Sequence, residues 1–254
     1  MRYGRFVFGA LAIGAVLAAW WAVTALGMVS PLILPSPPAV LDAAQRLSDG
    51  YLGASLLAHL EASLSVVLSG YLAAALIGVP LGILMAWARP VEILFGPLIS
   101  LLRPIPPPAW IPLAILWFGI DLTGKTFVVF VSAITPCLIN AYVAIKEAPP
   151  ELIRAARTLG AGRAALLFRV AIPAGLPMIA TGLRIALGSA WATVVAAELV
   201  VATAGFGFVI MNGYRNVESD VMAVGMIAVA LTGFVMNLLF RAMEKRAIPW
   251  SEHE

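Results

Sequence analysis

Residues 146–177 read KEAPPELIRAARTLGAGRAALLFRVAIPAGLP, a short polar stretch in an otherwise apolar chain. The stretch carries Lys146, Arg154, Arg157, Arg163 and Arg169 against only Glu147 and Glu151. Short loops rich in Lys and Arg stay on the cytoplasmic side of a membrane, so this loop is expected inside the cell. Its local chemistry predicts a helix. Pro149 and Pro150 suit a helix start, because Pro at the first helical position wastes no backbone hydrogen bond. Glu147 and Glu151 lie near that positive end, and Arg154 and Arg157 follow toward the negative end. Gly160 can stop the helix in a left-handed conformation. Ala155 and Ala156 keep it thin enough for a partner's surface to approach closely.

Outward from this loop the chain is built for lipid. It has 254 residues, 62% hydrophobic and 11% charged, with a mean hydropathy of +0.99. A soluble domain carries about 25% charged residues. The net charge of +3 does not point to nucleic acid, because the basic residues cluster at predicted membrane ends rather than on one face. Cys137 is the one cysteine, which excludes an intramolecular disulfide. It falls in an apolar run and reads as an inert thiol. His59 and His253 lie far apart, so no metal-ligand cluster and no cofactor site is expected in this chain.

A bilayer core takes about 20 apolar residues per helix. Six spans are predicted, roughly at Phe6–Gly27, Leu64–Ala88, Ile93–Phe118, Thr126–Ile145, Pro177–Val201 and Val221–Met243. The fold class is therefore an all-α polytopic membrane protein, with one domain over residues 1–254. Six spans put both termini on one side. Of the sixteen Lys and Arg, eleven fall on that side: Arg2, Arg5, Arg89, Lys146, Arg154, Arg157, Arg163, Arg169, Arg241, Lys245 and Arg246. Three, Arg46, Lys125 and Arg215, fall on the other, and Arg103 and Arg184 lie within spans. That segregation places the termini and residues 146–177 in the cytoplasm. Residues 28–63 form an external loop, in which Ser36, Pro37 and Pro38 precede an amphipathic helix with Val40, Leu41, Ala44 and Leu47 on its apolar side.

The third span contains RPIPPPAWIPL, Arg103 to Leu113. Pro104, Pro106, Pro107, Pro108 and Pro112 cannot all sit in a regular helix without losing backbone hydrogen bonds. Irregular backbone at membrane depth survives where protein or a water-filled cavity covers it, and broken helices line the paths of many carriers. A shallow kink packed against neighbours is the structural alternative. Arg184 and Glu198 stand in the fifth span, where charge is costly and should face the interior or water. They are fourteen residues apart, roughly 21 Å along one helix, and cannot pair there. Arg184 reads as an anchor or part of the path. Glu198 reads as a gate or a structural group, since a carboxylate is a poor ligand for an anion. Gly78, Gly82, Gly182 and Gly188 permit close helix packing.

Within residues 146–177, Arg154-Ala155-Ala156 is followed after three residues by Gly160, and after nine more by Val170-Ala171-Ile172-Pro173. This resembles the "EAA" signature of permease subunits of binding-protein-dependent ABC importers. The alanine pair, the glycine and the proline match. Arg154 stands where the signature has Glu, and Val170 and Ile172 where it has Ile and Leu. SPLILPSPPAVLDA, LLRPIPPPAWIPLAILWFGI, TGLRIALGSAW and VVAAELVVAT resemble the branch that serves sulfonate, nitrate and taurine. GFGFVIMNG, ESDVMAVGMIAV and RAMEKRAIPW point within it to taurine permeases. The resemblance implies a type I importer permease fold in the bacterial inner membrane, with short cytoplasmic coupling helices. It implies two ATPase subunits that bind ATP and Mg, a periplasmic solute-binding protein, and a second copy of the chain. It assigns coupling to Glu151, Arg154, Ala155, Ala156, Arg157, Leu159 and Gly160. The translocation path or gate is expected at Arg103, Pro106, Trp110, Arg184 and Glu198. The cargo is expected to be taurine or another aliphatic sulfonate, with nitrate, bicarbonate or another small anion as the alternative.

Gly119–Thr126 matches the phosphate-loop pattern G-x-x-x-x-G-K-T in form. That pattern works between a strand and a helix, and here it follows the apolar PLAILWF on the expected outer side. An embedded enzyme lacks a paired acid set, a His cluster or a serine elbow. A secondary carrier would call for internal repeats or titratable groups at mid-membrane, and no convincing repeat is present.

Overall fold

The computed structural model describes residues 2–250, and the side chains of residues 8, 9 and 11–250. The side chains of Arg2 and Arg5, and His253, lie outside that set. In chain order the helices are α1 (Arg2–Ala25), α2 (Pro37–Ser48), α3 (Leu56–Trp87), α4 (Arg89–Leu102), α5 (Ile111–Phe118), α6 (Leu122–Lys146), α7 (Pro150–Thr158), α8 (Arg163–Leu166), α9 (Ile172–Val200), α10 (Phe206–Arg215) and α11 (Ser219–Ala247). A 3-10 turn, Pro107–Trp110, precedes α5, and a π-helical turn, Leu167–Ala171, joins α8 to α9. No strand occurs among the described residues. The formal phosphate-loop match accordingly has no strand before it, and runs from the end of α5 into α6.

Four stretches are long and apolar enough to cross a membrane: Leu56–Trp87, Leu122–Lys146, Arg163–Val200 and Ser219–Ala247. Arg89–Leu102 and Pro107–Phe118 pass together but bend by 90°. Leu11–Ala25 of α1 is a shorter apolar helix. Each expected span thus has a helix, with boundaries that differ. α3 begins at Leu56 rather than near Leu64, because the Ser55 hydroxyl accepts from the Ala58 N–H at 3.2 Å and starts the helix early. The helix through the fifth span begins at Arg163, so Pro177 lies inside α9 rather than at its start. The stretch outside the long helices is therefore shorter than the expected 146–177. The third span is a break rather than a kink, since Pro104, Pro106, Pro107 and Pro108 cannot donate the backbone bonds a continuous helix needs.

The chain divides into two compact units. In Met1–Ala62 with Ala202–Ala230, α2 buries Val40, Ala43 and Leu47 against Val209, Val221 and Val224, with Trp20 beside them. The spacing i, i+3, i+7 puts the three on one helix face. Ser36 caps α2, accepting from the Ala39 N–H at 3.4 Å. Arg46 pairs with Asp220 at 2.5 Å, and the Tyr51 hydroxyl donates to Glu218 at 2.6 Å. That hydrogen bond to a carboxylate holds the Tyr51 phenol above its usual pKa.

The other unit, Ser63–Val201 with Leu231–Glu254, is organised on α6. α6 buries Val128, Val129, Ser132, Ala133, Cys137, Leu138, Ala141, Ala144 and Ile145. α3 and α9 approach it through glycines. A Cβ on Gly78 would lie 3.0 Å from the Cys137 Cβ, and one on Gly175 would lie 2.9 Å from the Ala144 carbonyl oxygen. Such approaches suit membrane helices, where small residues allow backbones to close. A hydroxyl chain reinforces the contact: Thr193 donates to Ser132 at 2.8 Å, and Ser132 and Ser189 share a hydrogen bond of 2.7 Å.

Candidate functional site

Residues 146–177 fold as α7, α8, the π turn and the first residues of α9. Pro150 occupies the first turn of α7 with Glu151, and Arg157 stands in its last turn, so both charges complement the helix dipole. Gly160 ends it at φ 82°. The Gly160 N–H bonds to the Arg157 carbonyl and the Ala161 N–H to the Ala156 carbonyl, each at 3.0 Å. This is the Schellman arrangement, and it needs a left-handed residue at position 160. Ile153 anchors α7 to a cluster of Ile145, Leu167 and Ala171, flanked by Trp87 and Ile172.

The opposite side of α7 is bare. Leu152 is 50% exposed and Leu159 87% exposed, with exposed Ala155 between them. Positions 152, 155 and 159 follow i, i+3, i+7 and form an apolar strip. Arg154, Arg157 and Glu151 flank it and are exposed. Arg154 and Glu151 pair at 3.1 Å while more than two-thirds exposed, an arrangement that contributes little stability. Helix α7 thus shows a thin apolar ridge with charged edges, on a base fixed by Ile153.

A second feature of the same unit is a groove of about 510 Å³ under the broken span. Arg103 and Trp110 line it together with Phe127, Phe130, Ser132 and Thr135. The Trp110 indole N–H is buried with no hydrogen-bond partner. Phe127 packs edge-on against Trp110 at 6.3 Å between ring centres. Arg103 and Thr135 bring polar groups to an otherwise largely apolar lining, since the Ser132 hydroxyl is engaged by Thr193 and Ser189. Pro106 caps the 3-10 turn that presents Trp110.

The remaining expected residues stand elsewhere. Arg184 donates to Glu244 at 3.3 Å. Glu244 is itself nearly buried, and sequence spacing gave no sign of this partner. Glu198 is 2% exposed and accepts from the Ser63 hydroxyl at 2.8 Å. Its carboxylate is enclosed rather than open to a path, and Ser63 likewise escaped the sequence reading. The π turn Leu167–Ala171 was also unforeseen. Pro173 could have signalled it, because it lacks the N–H that would bond the Arg169 carbonyl and complete a regular helix.

Comparison with known proteins shows the family of the chain. The Taurine transport system permease protein TauC of Escherichia coli (strain K12) is 40% identical over 95% of this chain and 88% of its own length. The Nitrate import permease protein NrtB of Synechocystis is 32% identical over 92% of this chain and 87% of its own. A chain of the inward-facing MetNI methionine ABC transporter superposes with a TM-score of 0.65 at 20% identity, covering 76% of this chain and 95% of that one. The latter likeness concerns the fold, which is that of a type I ABC importer permease. The family described as "Binding-protein-dependent transport system inner membrane component" matches residues 78–249, a range that holds both the groove and α7. With its long apolar helices, its break at Arg103 and that match over most of its length, the chain belongs to this family of multi-pass inner-membrane transport subunits, which are not enzymes.

Proposed function

We propose that the chain acts as one permease domain of an ATP-driven importer that moves a small organic anion, taurine or another aliphatic sulfonate, into the cytoplasm. The observation that carries this reading is the bare strip Leu152, Ala155 and Leu159 on α7, in a chain 40% identical to a taurine permease. A single-copy fold gains nothing from an exposed apolar ridge held rigidly by Ile153; a partner's cleft does. The partner is a pair of ATPase subunits that carry ATP and Mg. Glu151, Arg154, Ala155, Ala156, Arg157, Leu159 and Gly160 form the coupling surface, and closure of the ATPases moves α7 and the helix behind it.

Both termini and α7 face the cytoplasm in this reading, and the segment with α2 faces a solute-binding protein outside. A second copy completes the path by two-fold symmetry. Arg103 and Trp110 line that path, Pro106 begins the turn that carries Trp110, and the Arg103 guanidinium offers donors to a sulfonate. Arg184 and Glu198 act as fixed structural groups of the helix bundle, held by Glu244 and Ser63. Nitrate is the second reading, favoured by the 32% identity to a nitrate permease. The Arg103 guanidinium in the groove suits either oxyanion.

The test is uptake of labelled taurine by proteoliposomes holding the permease, its ATPase and its binding protein. Uptake is expected to require ATP, to stop with vanadate, and to fall by at least about tenfold in Gly160→Trp, whose side chain strains the φ of 82°. Gly160→Asn, which tolerates that conformation, is expected to keep most of it. Membrane insertion stays normal in both. ATP-independent uptake, or full uptake by Gly160→Trp, refutes the coupling role. Uptake of nitrate but not taurine moves the cargo to the second reading.

A further inference from the structure

In the unit organised on α6, α9 and α11 flank a second, open cavity of about 530 Å³, lined by Arg184, Gly188, Trp191, Gly233, Asn237 and Arg241 among others. The residues fall on one face of each helix, at 184, 188 and 191 on α9 and at 233, 237 and 241 on α11. Two glycines shape the space. A Cβ on Gly233 would lie 2.9 Å from the Trp191 indole nitrogen, so glycine lets that ring seat against α11. A Cβ on Gly188 would meet nothing within 4 Å, so its side of the cavity is open.

The lining contains two guanidinium groups and one amide, and no acidic side chain. Arg184 gives one N–H to Glu244 at 3.3 Å; a guanidinium has five, so others remain to face the cavity. Among the described residues, neither Asn237 nor Arg241 has a hydrogen-bond or ion-pair partner. Arg241 is exposed, and Lys245 and Arg246 follow it in the last turn of α11. The exposed Asn237 amide and the unspent guanidinium donors gather at one open cavity and are complementary to a tetrahedral oxyanion, which accepts paired charge-assisted hydrogen bonds.

We propose that this cavity binds a tetrahedral oxyanion held by Arg184, Asn237 and Arg241. Two sources share that chemistry. One is the phosphodiester of an anionic phospholipid, for which basic pockets between membrane helices are suited. The apolar residues Phe234, Val235, Leu238 and Leu239 of α11 are about half or more exposed and adjoin the site in sequence, as a track for acyl chains. The other is a soluble sulfonate or sulfate, and the sulfonate source alone rests on the import reading above.

The full-length permease in detergent tests this without ATPase or binding protein. Native mass spectrometry compares retention of phosphatidylglycerol and phosphatidylcholine, and calorimetry measures binding of taurine and inorganic sulfate. Either a phosphatidylglycerol preference or saturable sulfate or taurine binding is expected. Arg241→Gln should weaken it by about tenfold, the loss of one charge-assisted contact. Gly188→Leu should abolish it by filling open space without touching the arginines. Size-exclusion profile and thermal unfolding confirm that each variant folds, and Arg241→Gln on an exposed position decides the matter should Gly188→Leu misfold. A lipid preference alone assigns the headgroup source, and anion binding alone the soluble one. The site is overturned if the wild type shows neither, or if Arg241→Gln leaves the preference unchanged. Failure of taurine uptake in proteoliposomes leaves the lipid and sulfate arms standing, so the two readings fail separately.

Discussion

Helices α2 and α7 are both short, amphipathic and outside the long apolar helices, yet one is finished and the other is not. α2 buries Val40, Ala43 and Leu47 under valines from α10 and α11. α7 leaves Leu152 and Leu159 in the open. Sequence periodicity alone would rate them alike, since both carry an apolar stripe at helical spacing. Covering decides the difference. Burying a Leu or Val contributes about 1.5–3 kcal/mol, so α2 is a structural element of its unit. A bare stripe contributes nothing until something covers it, and the proposed coupling role would supply that cover.

The contrast can be broken most directly at its leucines. Leu47→Ala is expected to destabilise the protein by about 3 kcal/mol, the cost of a fully buried leucine. Leu159→Ala, at 87% exposure, should stay within about 0.5 kcal/mol. Urea unfolding in detergent measures both, and equal losses would erase the distinction. The helix starts sharpen it further. Ser36 caps α2, whereas α7 has no side-chain cap and relies on Pro150. Ser36→Ala should cost about 1 kcal/mol in the same assay; no loss would mean that the buried face alone holds α2 in place. The smallest expected effect is at the Glu151–Arg154 pair. Because both groups are exposed, Glu151→Ala should change stability by under about 0.5 kcal/mol. A larger change would show that α7 is braced through its charges rather than through Ile153.

Much of the fold was legible because membranes impose simple rules. Apolar runs and the prolines at 104–108 found a helix for each expected span, though the starts of α3 and of the helix through the fifth span lay about eight and fourteen residues earlier than expected. Boundaries slipped where a local cap intervened, as with Ser55 before α3, or where a proline fell inside a helix, as with Pro177. The candidate site was partly legible. Gly160 read as a left-handed stop and is one, because a helix end is a local event. Arg103 and Trp110 read as path residues and share one groove. Arg184 and Glu198 read as costly charges, but their partners Glu244 and Ser63 lie 60 and 135 positions away in sequence, and no spacing rule connects them.

By itself the sequence determined a multi-span helical membrane protein, the place where one span breaks, and the position of α7, because each follows from hydropathy, proline chemistry and short-range capping. Tertiary structure alone decided which amphipathic face is covered and which is bare, that Glu198 is enclosed by Ser63 rather than open to a path, and that Arg184, Asn237 and Arg241 line one cavity. Those outcomes depend on how α3, α9 and α11 pack, and packing joins residues whose separation along the chain carries no local signal.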